Sequence, residues 1–257
     1  MILTRLGNKR RIAKDIIKYF PKHTTFIDMF FGAGGIFFNK QLAKYNICND
    51  IDDNVSNLWK TVKFNKDKLV KELIDLPIHK TIWEEYKDVK FDDNVLKAVF
   101  FLFYSNWGYL GKPETMKTNA CNNIKKNILD RIDKVCEYFS FIDWRNDDFR
   151  ELMKNIAFRS EIEKKNTLIY ADPPYLGTGN NYSHSFSEND CIDLFEVLSN
   201  SKCMFAISEF NNEFIMEQVK ERNLNVHIIG ERQNLKNVRT EILITNYKLE
   251  RTLFDCL

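Results

Sequence analysis

One nine-residue stretch restricts the folds open to this chain more than any other. Thr167-Leu-Ile-Tyr-Ala runs as five residues of strand character straight into Asp172-Pro173-Pro174-Tyr175. Proline has no amide hydrogen to give to a ladder, so a strand cannot continue through two of them. The acid, the prolines and the ring are therefore presented at the carboxyl edge of a sheet, where open α/β folds bind their ligands. The plain alternative is a strand ending in a proline turn, with Asp172 as a polar stop.

The composition of the run suits one chemical task. The exocyclic amine of adenine is a poor nucleophile, because its lone pair is delocalised into the ring. Acceptors on the Asp172 side chain and on the rigidly aimed Pro173 carbonyl would hold both N–H hydrogens. They would draw the nitrogen toward a geometry that attacks a methyl group, with Tyr175 stacked on the base. This is positioning and electrostatics rather than covalent catalysis.

A second feature lies near the amino terminus. Residues 9–20 place Ile12, Ile16, Ile17 and Phe20 on one helical stripe closed by Pro21, after a Gly7-Asn8 turn. Thr24 to Phe30 reads as a strand that runs into Gly32-Ala-Gly34-Gly35, and Ile36 to Ala43 predicts a helix. Strand, glycine turn and helix together make a cradle for a small ligand, or a tight turn without one. The third glycine of the dinucleotide fingerprint would fall at Phe37, so a cofactor without a pyrophosphate fits better. Tyr45 to Asn49 predicts a second strand. Asp50 follows at its end, sixteen residues after Gly34, near the spacing of about 20 at which such folds place an acid on ribose hydroxyls. Asp52 and Asp53 suit helix caps.

Alternation of strands and helices then lapses over residues 54–127. A lysine-rich helical stretch (Val55 to Leu76) and a strongly apolar one (Asn94 to Tyr104) precede Ser105-Asn-Trp-Gly-Tyr-Leu-Gly-Lys112-Pro113. Glycines, aromatics and lysines here, with Lys117, Lys125 and Lys126 beyond, suit nucleic-acid backbone contact with a ring wedged among bases. They suit a solvated loop over a helical subdomain equally. The net charge of only +2 supplies no general attraction to a polyanion, so any such contact must be local. Downstream, Ile128, Ile132, Val135 and Phe139 share a helical face. Asp147, Asp148 and Phe149 suit either the amino group and face of an adenine or a helix cap and a core ring. Residues 176–185 form a glycine- and asparagine-rich stretch that predicts a lid. Three further strands, at Cys203 to Ser208, Asn225 to Gly230 and Glu241 to Tyr247, are expected, with a helix at Phe214 to Arg222 between the first two.

The six cysteines are scattered, without C-x-x-C and without histidine at ligand spacing. That predicts neither a structural metal nor a disulfide framework, and a cytoplasmic protein. The basic amino terminus lacks the apolar core of a signal peptide. The apolar run from Ala98 to Tyr104 is too short to span a bilayer, so no membrane partner is expected.

Taken together, these residues resemble the Dam-like DNA adenine-N6 methyltransferases over nearly the whole chain. Gly7-Asn8-Lys9 matches that family's G-x-K, Asp28-Met-Phe30-Phe-Gly32-Ala-Gly34 its F-x-G-x-G loop, and Asn49-Asp50-Ile51-Asp52 its acid after the second strand. Asn106-Trp107-Gly108-Tyr109-Leu-Gly111 looks like its DNA-probing turn. Asp172-Pro173-Pro174-Tyr175 is its catalytic motif, and Glu241-Ile-Leu-Ile-Thr-Asn246-Tyr247 completes the order. The resemblance implies a Rossmann-like seven-stranded mixed sheet flanked by helices. Residues 1–53 and 128–257 would form the catalytic domain, with 54–127 an inserted, mostly helical target-recognition subdomain. It also implies S-adenosylmethionine as methyl donor, S-adenosylhomocysteine as product, and no metal. Arg5, Lys9, Phe30, Gly32, Gly34, Asp50, Asp148, Phe149 and Asp172 would surround the cofactor. Asn106, Trp107, Tyr109, Lys112 and Lys117 would meet DNA, with Arg10 and Arg11 on phosphates, while the target adenine is flipped into the pocket. A restriction enzyme as partner and a monomer or weak dimer are the expected assembly.

The chain also departs from the family pattern. Arg5 stands where several relatives carry an aromatic residue beside the cofactor. Leu110 replaces a polar residue in the turn, Asn106 stands where an arginine is common, and the stretch from Lys112 to Asn127 is short for a GATC-reading hairpin. These latter departures bear on the target sequence rather than on methyl transfer. Methylation of cytosine N4 is the alternative reaction, since that amine is also conjugated to a ring. A catalytically silent DNA-binding subunit is the alternative of another class.

Overall fold

A computed structural model describes residues 1–118, 122–176, 186–233 and 238–249. Its centre is one mixed sheet. The strands are β1 (Thr25–Asp28), β2 (Tyr45–Asn49), β3 (Asp143–Arg145), β4 (Thr167–Ala171), β5 (Met204–Phe210), β6 (Asn225–Gln233) and β7 (Val238–Thr245). They lie in the order β3-β2-β1-β4-β5-β7-β6, parallel except for β7, which runs antiparallel to both neighbours. The chain winds outward from β1 and returns to β4 beside it, so the two strands flank the switch point at which such sheets open a crevice.

The expected strand run over Thr167 to Ala171 coincides with β4. Its five residues are all buried, because β1 and β5 cover both edges and helices cover both faces. Alternate residues divide between two cores. Phe26, Leu168, Tyr170 and Ala206 face one, while Ile27, Ile169, Phe205 and Ile207 face the other, as the two-residue period of a strand requires.

Ten α-helices, with four short 3-10 turns, complete the described residues: α1 (Ala13–Ile17), α2 (Asp53–Phe64), α3 (Lys66–Asp75), α4 (Lys80–Tyr86), α5 (Asn94–Trp107), α6 (Ile124–Tyr138), α7 (Phe149–Asn155), α8 (Glu161–Lys165), α9 (Glu188–Ser201) and α10 (Glu213–Glu221). α5 is apolar on nearly every side because it is buried, with Ala98, Leu102 and Phe103 wholly inside. Asp93 starts it by accepting the amides of Val95 and Leu96.

Helices α2, α3, α5 and α6 share one hydrophobic cluster with the β1 and β4 side of the sheet. One expectation changes. The helix expected over Ile36 to Ala43 is a single 3-10 turn, Phe37–Asn39. Phe38 packs against Phe31, Trp59 and Phe139, the Lys40 ammonium lies 4.1 Å from the centre of the Phe26 ring, and the Asn39 amide donates to the Gly35 carbonyl. These tertiary contacts extend the chain at Lys40, and no helix start faces the glycine turn.

Candidate active site

The carboxyl ends of β1, β2 and β4 converge on one cleft, walled by Asp28, Phe30, Gly32, Asp50, Asp172 and Pro174. Gly32 and Gly34 have φ of +52° and +70°, which turn the chain sharply out of β1. A Cβ on Gly34 would lie within 2.7 Å of the Phe31 and Phe38 rings, whereas one on Gly32 would meet nothing within 4 Å. Gly34 is thus required by packing. Gly32 leaves its side open toward the cleft and donates its amide to Oδ2 of Asp50 at 2.6 Å. Oδ1 of Asp50 accepts the Asp52 amide, so this acid braces the turn as well as facing the cleft. The Gly32 carbonyl is held by the Trp59 indole N–H from α2.

Asp172 leaves β4 beside Lys9. The Lys9 ammonium lies 2.5 Å from Oδ1 of Asp172 and 3.6 Å from Oε1 of Glu241, and it donates to the Gly7 carbonyl. It also stands 4.4 Å from the centre of the Tyr175 ring. Lys9 is only 2 % exposed. The Tyr175 hydroxyl donates to Glu241 on β7, and its ring meets Phe210 nearly edge-on. That ring is buried, at 8 % exposure.

Three acids at this centre escaped the site reading from sequence. Asp28 is fully buried and its Oδ1 has no hydrogen-bond partner among the described residues. Burial, then Asp172 and Asp50, push its pKa well above the carboxylate range. Glu209 accepts the amides of Phe210 and Leu176, and burial pushes it up to about 8. Glu241 receives Tyr175. Asp28 and Glu209 each sit at or next to the end of a largely apolar strand, and an acid so placed is the signal that would have found them. Asn49 escaped too: buried at the end of β2, it donates to the Met29 and Asp147 carbonyls and accepts the Asp147 amide, fixing the 147–149 turn.

The other expected site residues are placed unevenly. Arg5 lies at the cleft with its guanidinium 2.7 Å from Asp52. Phe30 and Phe149 face each other at 5.8 Å between ring centres. Asp148 caps α7 through the Arg150 amide and pairs with the Arg150 side chain. Asn106 and Trp107 are not on the surface. The Asn106 amide donates to the Ile2 and Leu102 carbonyls and its oxygen accepts from Thr4, while Trp107 packs on Phe103. The helix continues three residues past the apolar run, to Trp107, and its period turns Asn106 and Trp107 inward. Tyr109 is exposed, in a turn braced by a Gly108–Met116 bridge, and Lys112 and Lys117 are partly exposed beside it. The lid expected over 176–185 lies, beyond Leu176, outside the described residues. No group of acids, histidines or cysteines able to hold a metal ion occurs among the described residues.

A glycine turn after β1, an acid after β2 and Asp-Pro-Pro-Tyr after β4, on a sheet of this order, define the class as Rossmann-like methyltransferases. More narrowly, the sequence model of the D12 class N6 adenine-specific DNA methyltransferases matches residues 6–241, and the chain belongs to that family. Among its relatives, the modification methylase StsI of Streptococcus sanguinis is 22 % identical over 290 residues, covering 96 % of this chain. Type II methyltransferase M.FokI of Planomicrobium okeanokoites is 26 % identical over 287 residues, covering 95 %. This chain spans 42 % of the length of each. Type II methyltransferase M1.LlaDCHI of Lactococcus lactis is 25 % identical over 275 residues, with 94 % of this chain and 93 % of that protein aligned.

The residues fit the cofactor of that family. S-adenosylmethionine carries a sulfonium and an ammonium, and the cleft offers the carboxyls of Asp28, Asp50 and Asp172 around an open glycine turn.

Proposed function

We propose that the protein transfers a methyl group from S-adenosylmethionine to the N6 amino group of an adenine flipped out of DNA. The placement of Asp172 carries this reading: it leaves the central strand beside the switch point, in the same cleft as Gly32, Asp50 and Asp28. When bound, the cofactor supplies an electrophilic methyl on sulfur. The chain's own residues supply position. Lys9 fixes the orientation of the Asp172 carboxylate through Oδ1, so that the remaining acceptor capacity of Asp172 and the Pro173 carbonyl can hold the two amine hydrogens. Phe30 and Phe149 offer apolar surface to a nucleobase, Asp50 an acceptor for ribose hydroxyls, and Gly32 and Gly34 room at the methionine end. Tyr109, Lys112 and Lys117 offer the ring and cations for a duplex.

The family's adenine-N6 description favours adenine over cytosine N4, whose amine the same acceptors would serve. Intact Asp172, Asp50 and glycine turn favour an active enzyme over a silent subunit. A restriction enzyme as partner, a monomer or weak dimer, and a cytoplasmic location belong to this reading. The test supplies S-adenosylmethionine with a labelled methyl and unmethylated DNA, digests to nucleosides, and runs Asp172→Ala in parallel. Label in N6-methyladenine that vanishes in the variant supports the proposal. Label in N4-methylcytosine overturns the base, and no label on DNA overturns the substrate.

A further inference from the structure

Two adjoining cavities of about 330 and 290 Å³ open between the first residues of the chain and α6. Arg10 and Arg131 border both, Lys117 the first and Lys134 the second. Ile124, Asn127, Ile128, Arg131, Lys134 and Val135 recur at helical spacing, so one stripe of α6 forms the shared wall. None of the four cations makes an ion pair among the described residues: on α6, Asp130 and Asp133 bond Lys126 and Lys66, and Glu137 lines neither cavity. The walls carry no acid among the described residues and add neutral polar groups, from Thr4, Asn106, Asn122 and Asn127 in the first cavity and Asn39 and Tyr138 in the second. The positive field is felt locally: burial, then Arg131, Arg10 and Lys134, push the Met1 amino group down to about 6.

We propose that this cleft is a phosphate-binding site that seats backbone phosphodiesters of the DNA strand beside the target base. It rests on the reading of the protein as a DNA methyltransferase and adds Arg131 and Lys134, which lie beyond residues 54–127. Two connections favour a strand on its way to the active site. Arg10 follows Lys9, the partner of Asp172, and the Lys117 amide bonds the Trp107 carbonyl beneath the turn that carries exposed Tyr109. Four cations without acids leave a charge that phosphates neutralise, whereas ion-paired surface lysines offer little.

The test compares the full chain with an Arg131→Gln/Lys134→Gln variant and a charge-matched Lys68→Gln/Lys71→Gln control, whose lysines bond Asp93 and Asp75. Affinity for a short DNA duplex is followed by fluorescence anisotropy from about 50 to about 200 mM salt. The slope of log affinity against log salt should become shallower by about 0.9 per lost contact, about 1.8 in all, in the first variant only. Affinity for S-adenosylhomocysteine by calorimetry and the Tm should hold. An unchanged slope, while the wild type still binds and methylates DNA, overturns the cleft assignment alone. A wild type that binds no DNA overturns the function on which it rests. Stabilisation of the wild type but not the variant by inorganic phosphate, with equal DNA slopes, would assign the cleft to free phosphate and overturn the DNA occupant.

Discussion

The Lys9 ammonium and the Asp172 carboxylate lie 2.5 Å apart across 163 residues of chain. With Glu241 at 3.6 Å on the other side of the ammonium, a single buried cation compensates two acids behind the Asp-Pro-Pro-Tyr motif. Glu241 and Tyr175 extend the link to β7, so the motif is held by three separate parts of the sequence.

Lys9→Met should therefore leave acids uncompensated in a poorly solvated place. The expected cost is about 3 kcal/mol of stability, as for breaking a buried ion pair. Methyl transfer, measured at a temperature where the variant is folded, should fall about tenfold or more, the worth of one charge-assisted hydrogen bond. Denaturant melts and single-turnover methylation check both numbers. A variant with wild-type turnover would show that Asp172 needs no such partner.

Gly34→Ala and Gly32→Ala should separate packing from binding. Both force a left-handed backbone on alanine, at about 1–2 kcal/mol. Only at Gly34 does the methyl also meet two rings, so its Tm should fall further. Gly32→Ala should fold with the smaller loss yet weaken S-adenosylhomocysteine binding, because its methyl projects into the open cleft. Equal melting curves for the two would contradict this division.

Trp107→Ala and Tyr109→Ala should behave oppositely. Removing the buried Trp107 ring should cost about 3 kcal/mol or more, with DNA affinity of the folded protein little altered. Removing the exposed Tyr109 ring should move stability by no more than about 0.5 kcal/mol and weaken DNA binding. Paired melting and anisotropy measurements decide it; loss of DNA affinity through Trp107 alone would restore that residue to the interface.

Glu209 makes stability depend on pH. Its folded pKa, about 8, stands above its unfolded value. Its stabilising contribution is thus complete below the unfolded carboxylate range near pH 4.5 and is lost as pH rises toward 8. Glu209→Gln replaces one acceptor by an amide, an offset independent of pH. The stability of wild type relative to variant should be greatest near pH 5 and decline by pH 8. A difference that stays flat, or grows with pH, would place the carboxylate rather than the acid in the folded protein.

Local chemistry made much of this molecule legible in its sequence. Proline cannot continue a ladder, so β4 had to stop at Asp172. Glycines at positive φ had to turn the chain after β1, and the strand at Tyr45–Asn49 had to hand Asp50 to the same edge. These are covalent and steric constraints that act within a few residues, and they located the sheet edge and the cleft. What lay beyond them depended on partners distant in sequence. Whether Asn106 and Trp107 faced solvent depended on Ile2, Thr4 and Phe103. The helix after the glycine turn gave way to an aromatic cluster drawn from α2 and the end of α6. Glu209, Glu241 and Asp28 became one buried group around Lys9 and Asp172 because four strands end side by side. Charge pairing and burial are properties of neighbours in space, and only the folded chain decides who those neighbours are.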